Sequence, residues 1–333
     1  MERAKIGAGI LAAAALIASH EAWAQRAGRL LAECRSPALT RCLSAGTERD
    51  SCVTIAMQSL SDDCRKAISD AATRRAGPLP AGWREDSFGS DPLQKLDWSL
   101  PKAVEGKAPV LLFVHGGGWS IGDKRMGAGQ KGAHFLSRGW GFASTNYRLV
   151  PQATVEQQAA DVAAAVALLR RQPGVDPDRI VLMGHSAGAH LAALVGTDPR
   201  YLQAAGVPLG AIKGVVLLDG AGYDVGEQMA EPRNQVQSMY TQAFSSDAKR
   251  QAALSPTRHA AAPNAASWLI LPVASRRDST AQSEKLAAAL RAGGSQANVV
   301  PQAGKSHATL NRELGQAGDP ATAVVDGFLR GLR

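Results

Sequence analysis

A serine flanked by small residues lies in the sequence GHSAG at 184–188, directly after the apolar run 180–183 and before a helical stretch at 189–195. A G-x-S-x-G sequence between a strand and a helix forms a sharp turn, because its glycines let the backbone segments approach closely. The N-terminus of the following helix stabilises negative charge at the reacting centre. This context predicts that Ser186 is a nucleophile.

A second motif, HGGGW at 115–119, follows the apolar run 110–114. Consecutive glycines allow backbone N–H groups to turn towards a ligand, as in an oxyanion hole, where each donor contributes about 3 kcal/mol to catalysis. A flexible loop is the alternative interpretation. We expect an oxyanion hole made by the backbone amides of Gly116, Gly117, Gly118 and Ala187.

The elements that must position these motifs are short apolar strands separated by helical stretches. The helical pattern is clearest at 155–171, with Thr154 as a possible N-cap, and returns at 321–332. Alternating strands and helices predict an α/β fold with a mostly parallel sheet flanked by helices. The expected strands are 110–114, 142–145, 180–183, 215–218, 268–271 and, more weakly, 297–300.

HGGGW, NYRL at 146–149 and GHSAGAH at 184–190 together resemble the alpha/beta-hydrolase fold. Within that fold, the chain is similar to the hormone-sensitive-lipase-like, kynurenine-formamidase-like and feruloyl-esterase-like carboxylesterases. The resemblance extends from about Leu100 to the C-terminus. It implies a triad of serine, acid and histidine in that chain order.

The resemblance places the acid after the penultimate strand and the histidine after the last one. Asp278 follows the strand 268–273 and is the expected acid, and it could also cap the next helix. Asp219, one strand earlier, is the alternative. His307 lies in SHATLNRELG, which matches the histidine loop of the family, and is the expected general base.

The insertion 220–267 is expected to form a lid over the substrate. Trp119, Tyr223 and Tyr240 are expected to line an apolar pocket, although ordinary core packing is an open alternative. The predicted activity is hydrolysis of short-chain or aryl carboxylic esters, on a small-molecule or polymer-linked substrate, through an acyl-enzyme and without a metal or organic cofactor. The alternatives are an arylformamidase or other amide hydrolase with the same triad, and a non-catalytic binding protein on a hydrolase scaffold.

The first 24 residues have the pattern of an export signal. Arg3 and Lys5 precede the apolar run 6–18, and Ala22-Trp23-Ala24 fits a small-x-small cleavage site. We expect cleavage after Ala24 and a periplasmic or secreted mature protein. An uncleaved membrane anchor is the alternative.

The chain has four cysteines, all of them between residues 34 and 64. An even, clustered set in an exported chain predicts two disulfides rather than a metal site, and the residues alone allow three pairings. The stretch CRSPALTRCLS…SCVTIAMQSLSDDCRKAI resembles the cysteine-rich repeat of some secretory-pathway proteins, which is a nested helical hairpin. That resemblance implies a hairpin over residues 25–76 with the pairs Cys34–Cys64 and Cys42–Cys52.

The remaining organisation follows from composition. Residues 77–106 are rich in Pro, Gly and Asp and are expected to form a linker and edge structure, followed by the catalytic domain at 107–333. The formal charge is +8, but its lysines and arginines are scattered, which argues against a nucleic-acid partner. No segment after the signal has 18 consecutive apolar residues, so no integral membrane segment is expected.

Overall fold

The structure is a computed structural model that describes Ser61, Cys64 and residues 78–102, 105–230, 237–261 and 263–332. The chain divides into two compact units, Met1–Arg74 and Arg75–Arg333. The predicted signal peptide and nearly all of the predicted hairpin lie outside the described residues. Cys64 is disulfide-bonded; its predicted partner Cys34 lies outside the described residues, as does the predicted pair Cys42–Cys52.

In the described part of the chain, eight strands form one sheet. The strands are β1 Arg84–Ser87, β2 Lys95–Ser99, β3 Ala108–Val114, β4 Gly141–Thr145, β5 Val175–His185, β6 Ile212–Leu218, β7 Ser267–Leu271 and β8 Gln296–Val299. Their order in the sheet is β1-β2-β4-β3-β5-β6-β7-β8. β2 pairs antiparallel with β1 and with β4, whereas β4, β3 and β5 to β8 are parallel.

Helices fill the connections between the parallel strands, and this confirms the predicted α/β class with a mostly parallel sheet. Thr154 caps its helix as expected, since its side chain accepts a hydrogen bond from the Gln157 amide. The described helices are α1 Lys124–Ala128, α2 Lys131–Ser137, α3 Val155–Arg170, α4 Ala187–Thr197, α5 Pro199–Ala204, α6 Val225–Ala230, α7 Gln237–Phe244, α8 Ala248–Ala253, α9 Pro256–His259, α10 Arg277–Ala292, α11 His307–Glu313 and α12 Pro320–Gly331.

Both faces of the sheet are covered, which explains the continuous apolar runs of its central strands. All seven residues of β3 are buried, because alternate side chains enter two different core clusters. One cluster packs the sheet against α3 and α4, and the other packs it against α2 and α12. Within the described ranges, none of these helices combines the length and apolarity that crossing a bilayer requires.

The parallel arrangement brings the carboxyl ends of β3, β5, β6, β7 and β8 to one edge of the sheet. In the register, His185 at the end of β5 lies opposite Leu218 at the end of β6, and Leu218 lies opposite Leu271 at the end of β7. The segments that follow these strands therefore meet, and they carry the residues that the sequence singled out for chemistry.

Candidate active site

Ser186 occupies a strained turn between β5 and α4. Its φ of 56° and ψ of −122° lie outside the regions that residues with a side chain favour. A Cβ at Gly184 would lie 2.1 Å from the Gly188 carbonyl oxygen, and one at Gly188 would lie 2.1 Å from the Val114 carbonyl oxygen. The turn therefore needs both glycines, and it leaves Ser186 partly exposed at the start of the buried helix α4.

The glycine motif after β3 passes directly beside this serine. A Cβ at Gly116 would lie 2.9 Å from the Ser186 Cβ atom, and Gly117 and Gly118 have φ angles of 121° and 57°. Among the described residues, no hydrogen bond uses the amides of Gly117, Gly118 or Ala187 as donors. These N–H groups can therefore donate to an anion at the serine.

A stacked pair of side chains supports the glycine loop. His115 Nδ1 donates to the Gly116 carbonyl at 2.7 Å, and its ring stacks on Tyr147 with the ring centroids 4.3 Å apart. The Tyr147 hydroxyl donates to the His115 carbonyl at 2.9 Å. Burial lowers the pKa of His115, which keeps the ring neutral and leaves Nδ1–H as the donor. This gives a role to Tyr147 of the NYRL motif, to which the sequence assigned none.

The neighbouring arginine of the same motif braces the turn after β4. Arg148 binds the buried carboxylate of Asp161 through Nε at 2.9 Å and a terminal nitrogen at 2.7 Å. Its backbone amide also donates to Asp161 at 2.9 Å. A forked charged contact of this kind fixes the geometry of both partners. NYRL is therefore a structural motif that holds the loops around the serine.

His307 is the first residue of α11, where Ser306 caps the helix through a reciprocal pair of hydrogen bonds with Thr309. His185, next to the serine, ties this helix to β5: its Nε2 donates to the His307 carbonyl at 2.8 Å, and the two rings lie 4.5 Å apart. Burial and the neighbouring His307 hold the pKa of His185 well below its usual range. The contact with the His307 carbonyl holds His185 against the helix that carries the predicted base.

The carboxylate that contacts His307 is Asp219, at the end of β6. His307 Nδ1 and Asp219 Oδ2 are 2.6 Å apart. The expected acid, Asp278, lies in the first turn of α10 and contacts a terminal nitrogen of Arg276 at 3.3 Å, whereas the alternative, Asp219, is the carboxylate in direct contact with His307. The chain turns into α10 directly after Arg276, so the loop after β7 presents an arginine to the histidine, and the end of β6 supplies the carboxylate that contacts it.

Asp219 is fully buried and fully hydrogen-bonded. Its Oδ1 accepts from the Val273 amide at 2.9 Å, and its Oδ2 accepts from His307 and from Arg276. Burial alone would raise the pKa of Asp219, but the hydrogen bond and charge of His307 and the charge of Arg276 outweigh it and hold that pKa far below its usual range. The carboxylate is therefore ionised and fixes the hydrogen of His307 on Nδ1.

With that hydrogen on Nδ1, the Nε2 atom of His307 has a lone pair free to accept a proton. Ser186 and His307 do not share a hydrogen bond in the described part of the chain; bonds of this kind often become short only with substrate in place. The structure thus brings Asp219 and His307 into direct contact, and His185, the chain neighbour of Ser186, contacts the His307 carbonyl.

The three aromatic residues expected in a pocket lie in the interior. Trp119, Tyr223 and Tyr240 are 2%, 0% and 7% exposed. Trp119 packs edge-on against Tyr240 at 5.3 Å and against Phe244 at 4.7 Å, both measured between ring centroids. They form a packed aromatic cluster behind the glycine loop, and their contact with substrate stays a prediction. No group of three or more potential metal ligands occurs in the described residues.

Comparison with known proteins finds relatives for the part of the chain that holds the glycine loop and the serine turn. The family profile BD-FAE matches residues 96–205, which include the glycine loop and the serine turn but neither Asp219 nor His307. The chain is 38% identical over 109 residues to the isoprenylcysteine alpha-carbonyl methylesterase of Arabidopsis thaliana, covering 32% of this chain and 25% of the relative. It is 42% identical over 101 residues to the esterase LipQ of Mycobacterium tuberculosis, covering 29% and 24%. The chain thus spans about a quarter of the length of these curated relatives.

Solved structures match over most of the chain. Esterase 2 of Thermogutta terrifontis, phosphonylated by sarin, superposes with a TM-score of 0.62 at 21% identity, covering 76% of this chain and 94% of that one. Esterase B of Lactobacillus rhamnosus superposes with a TM-score of 0.62 at 19% identity, covering 84% and 95%. These likenesses show that the chain has the alpha/beta-hydrolase fold.

Proposed function

We propose that this alpha/beta-hydrolase-fold protein is a serine carboxylesterase with Ser186 as nucleophile, His307 as general base and Asp219 as the acid of the triad. The observation that carries the proposal is the 2.6 Å contact between His307 and a buried, ionised Asp219 at the sheet edge where Ser186 lies. A carboxylate in this position selects the imidazole tautomer that can deprotonate a serine and stabilises the imidazolium that results.

The reaction is an acyl transfer in two halves. Ser186 Oγ attacks the ester carbonyl carbon while its proton passes to His307 Nε2, and the resulting oxyanion is held by the free amides of the glycine loop and of Ala187. Collapse of this intermediate breaks the ester C–O bond, and His307 returns the proton to the departing alcohol. Water then repeats the sequence on the acyl-enzyme and releases the acid and free Ser186.

Short-chain or aryl esters are the substrates that we propose, either free or attached to a polymer. The printed names of the relatives support ester chemistry, because they include a methylesterase and esterases. An arylformamidase would use the same residues, and no contact in the described residues favours it. Hydrolysis of N-formylkynurenine, measured beside that of p-nitrophenyl butyrate, distinguishes the two activities, and a higher kcat/KM on N-formylkynurenine would favour the arylformamidase.

The test is hydrolysis of p-nitrophenyl acetate and butyrate by the mature protein and by Ser186→Ala. We expect kcat to fall by at least ~10³-fold in the variant. A fluorophosphonate probe should label Ser186, because Oγ displaces fluoride from phosphorus, and mass spectrometry should find the added mass on the peptide that contains residue 186. Equal rates for the two proteins, or labelling at another residue, would remove the proposal.

We also propose that the chain is exported after cleavage between Ala24 and Gln25, and that residues 25–76 form a disulfide-linked hairpin. The support is the signal pattern of the sequence and the disulfide bond at Cys64. N-terminal peptide mapping of the protein recovered outside the cytoplasm should begin at Gln25. Non-reducing mass spectrometry should find Cys34 linked to Cys64 and Cys42 linked to Cys52; any other linkage contradicts the hairpin.

A further inference from the structure

The positively charged side chain of Arg276 contacts both the acid and the base of the proposed triad. One terminal nitrogen of Arg276 is 2.6 Å from Asp219 Oδ2 and 2.8 Å from His307 Nδ1. The other terminal nitrogen contacts Asp278 at 3.3 Å. The Arg276 side chain is 30% exposed, whereas the Asp219 side chain is fully buried. The arginine therefore bridges the buried pair and the surface.

The hydrogen positions follow from the chemistry of the three groups. A guanidinium is always protonated in proteins and only donates, and an ionised carboxylate only accepts. His307 Nδ1, at 2.6 Å from a carboxylate oxygen, must therefore carry a hydrogen. Arg276 and His307 Nδ1 both donate to Asp219 Oδ2, and the Arg276 terminal nitrogen also lies 2.8 Å from His307 Nδ1.

We propose that Arg276 is a positioning residue: it fixes the Asp219 carboxylate against His307 Nδ1 and places a positive charge beside the imidazole, so that its removal shifts the acidic limb of the pH profile. This inference rests on the proposed function. Without the arginine, the charge of Asp219 acts on the imidazole alone and favours the imidazolium, which is inactive as a base. With it, the cation offsets part of that charge, and Asp219 still stabilises the imidazolium that forms during the reaction.

Asp278, the acid expected from the sequence, contributes to the same arrangement. It contacts the Arg276 nitrogen that points away from Asp219 and so restrains the guanidinium from a second side. Because Arg276 begins the turn into α10, with its amide donating to the Val273 carbonyl at 2.9 Å, its backbone is also fixed. The cation is therefore held at the histidine and does not sample solvent freely.

Other titratable groups lie near Asp219 and His307. His185 at the end of β5 is neutral because its pKa lies well below the usual range. Burial raises the pKa of Tyr223, on which the charge of Asp219 also acts, so it too is uncharged. Lys131 is a second cation, and its charge acts on His185. Arg276 is therefore the cation in direct contact with both Asp219 and His307 among the described residues.

The experiment is the pH dependence of kcat/KM for wild type, Arg276→Gln and Arg276→Lys, with Arg277→Gln as the matched control. Arg277 is the exposed neighbour of Arg276. A charge within hydrogen-bond distance changes a proton affinity by about one unit or more. We therefore expect the acidic limb to move up by about one pH unit in Arg276→Gln and to stay near that of wild type in Arg276→Lys and Arg277→Gln.

Superimposable acidic limbs for wild type and Arg276→Gln would overturn the proposal, as would an equal loss of kcat/KM at every pH, which would show that the arginine only braces the fold. Arg276→Met, which keeps the aliphatic stem, replaces the glutamine variant if circular dichroism shows that the latter does not fold.

A second measurement needs no enzymatic turnover. In protein with isotopically labelled histidine, the imidazole resonance of His307, assigned with His307→Gln, should titrate about one pH unit higher in Arg276→Gln than in wild type. An unchanged titration overturns the inference whether or not the protein is an esterase. A shifted titration without ester hydrolysis would retain the inference about charge and reject the proposed function alone.

Discussion

At the scale of single residues, the acid that we propose for the triad is chosen by a carboxylate's contacts and not by its place in the chain. Asp219 has a left-handed backbone conformation with φ of 45°. Val273, Arg276 and His307 donate three hydrogen bonds to its carboxylate. Asp278, on a helix, contacts a terminal nitrogen of Arg276 at 3.3 Å.

Two matched amide substitutions separate the roles of these carboxylates. Asp219→Asn should lower kcat by about 10³- to 10⁴-fold, because an amide in this place no longer selects the active tautomer or stabilises the imidazolium. Asp278→Asn should lower it less than about tenfold, since the proposed acid stays in place and the contact with Arg276 is the one that weakens. Steady-state rates on p-nitrophenyl butyrate measure both. A larger loss in Asp278→Asn than in Asp219→Asn would return the acid to the position expected from the sequence.

The sequence predicts Ser186 and His307 because each lies in a local pattern with a physical meaning. The serine needs glycines on either side of a strand-to-helix turn, and the histidine lies in a capped helix start after the last strand. Asp219 has no such pattern, since any short loop after a parallel strand can bring a carboxylate to the same edge. What distinguishes Asp219 is its contact with the guanidinium of Arg276. Because the two residues are far apart in the chain, this contact leaves no local signal in the sequence.

At the scale of elements, the strands that the sequence predicts most clearly are those buried on both faces, such as β3, because continuous apolar runs mark them. The antiparallel pair β1 and β2 was expected only as edge structure. β1 has the sequence REDS and is mostly exposed, so its place depends on pairing with β2 and not on hydrophobicity. In the same way, α2 is held by a buried ionisable residue that its sequence does not mark.

That residue is Lys131, whose side chain is fully buried under the helix that begins at His307. Its Nζ donates to the carbonyls of Gly127, at 3.1 Å, and Asn311, and lies 4.8 Å from the Phe113 ring centroid. Burial lowers the pKa of Lys131 to about 7, against a weaker opposing effect of Asp319. The lysine therefore links α2 to α11, and its charge state changes within the range in which enzymes are assayed.

The lowered pKa of Lys131 predicts how the free energy of unfolding depends on pH. Between pH 7 and about 10.5, the unfolded chain binds more protons than the folded one at Lys131, so this group makes stability rise with pH by up to about 1.4 kcal/mol per unit. Lys131→Met should remove that slope. The free energy of unfolding of the variant minus that of wild type should therefore be largest below pH 7 and should decrease towards pH 10. Urea unfolding at pH 6, 8 and 10 measures it.

The control for this prediction is Lys249→Met, because Lys249 is an exposed lysine on α8. Its unfolding free energy should follow that of wild type at all three pH values. Parallel pH dependences for wild type and Lys131→Met would contradict the assignment of the slope to the buried lysine.

At the scale of the whole molecule, every contact that defines the site is made within the second compact unit, Arg75–Arg333. The strands that hold the site begin at residue 84. The helix α11, which begins at His307, is anchored by the contacts of Lys305 with Glu313 and Asp319. The two core clusters draw all their residues from this unit as well.

A chain that begins at Gly77 should accordingly fold and hydrolyse p-nitrophenyl butyrate with kcat/KM within about threefold of that of the mature protein, since a site fixed within one compact domain keeps its geometry when a separate unit is removed. The comparison uses equal concentrations of folded protein, verified by circular dichroism, with Ser186→Ala in the shortened chain as the background rate. A folded shortened chain that loses more than tenfold in kcat/KM with unchanged KM would show that residues before Gly77 act on the chemical step. A rise in KM alone would instead place them at the substrate entrance, where a separate unit can select esters without taking part in their cleavage.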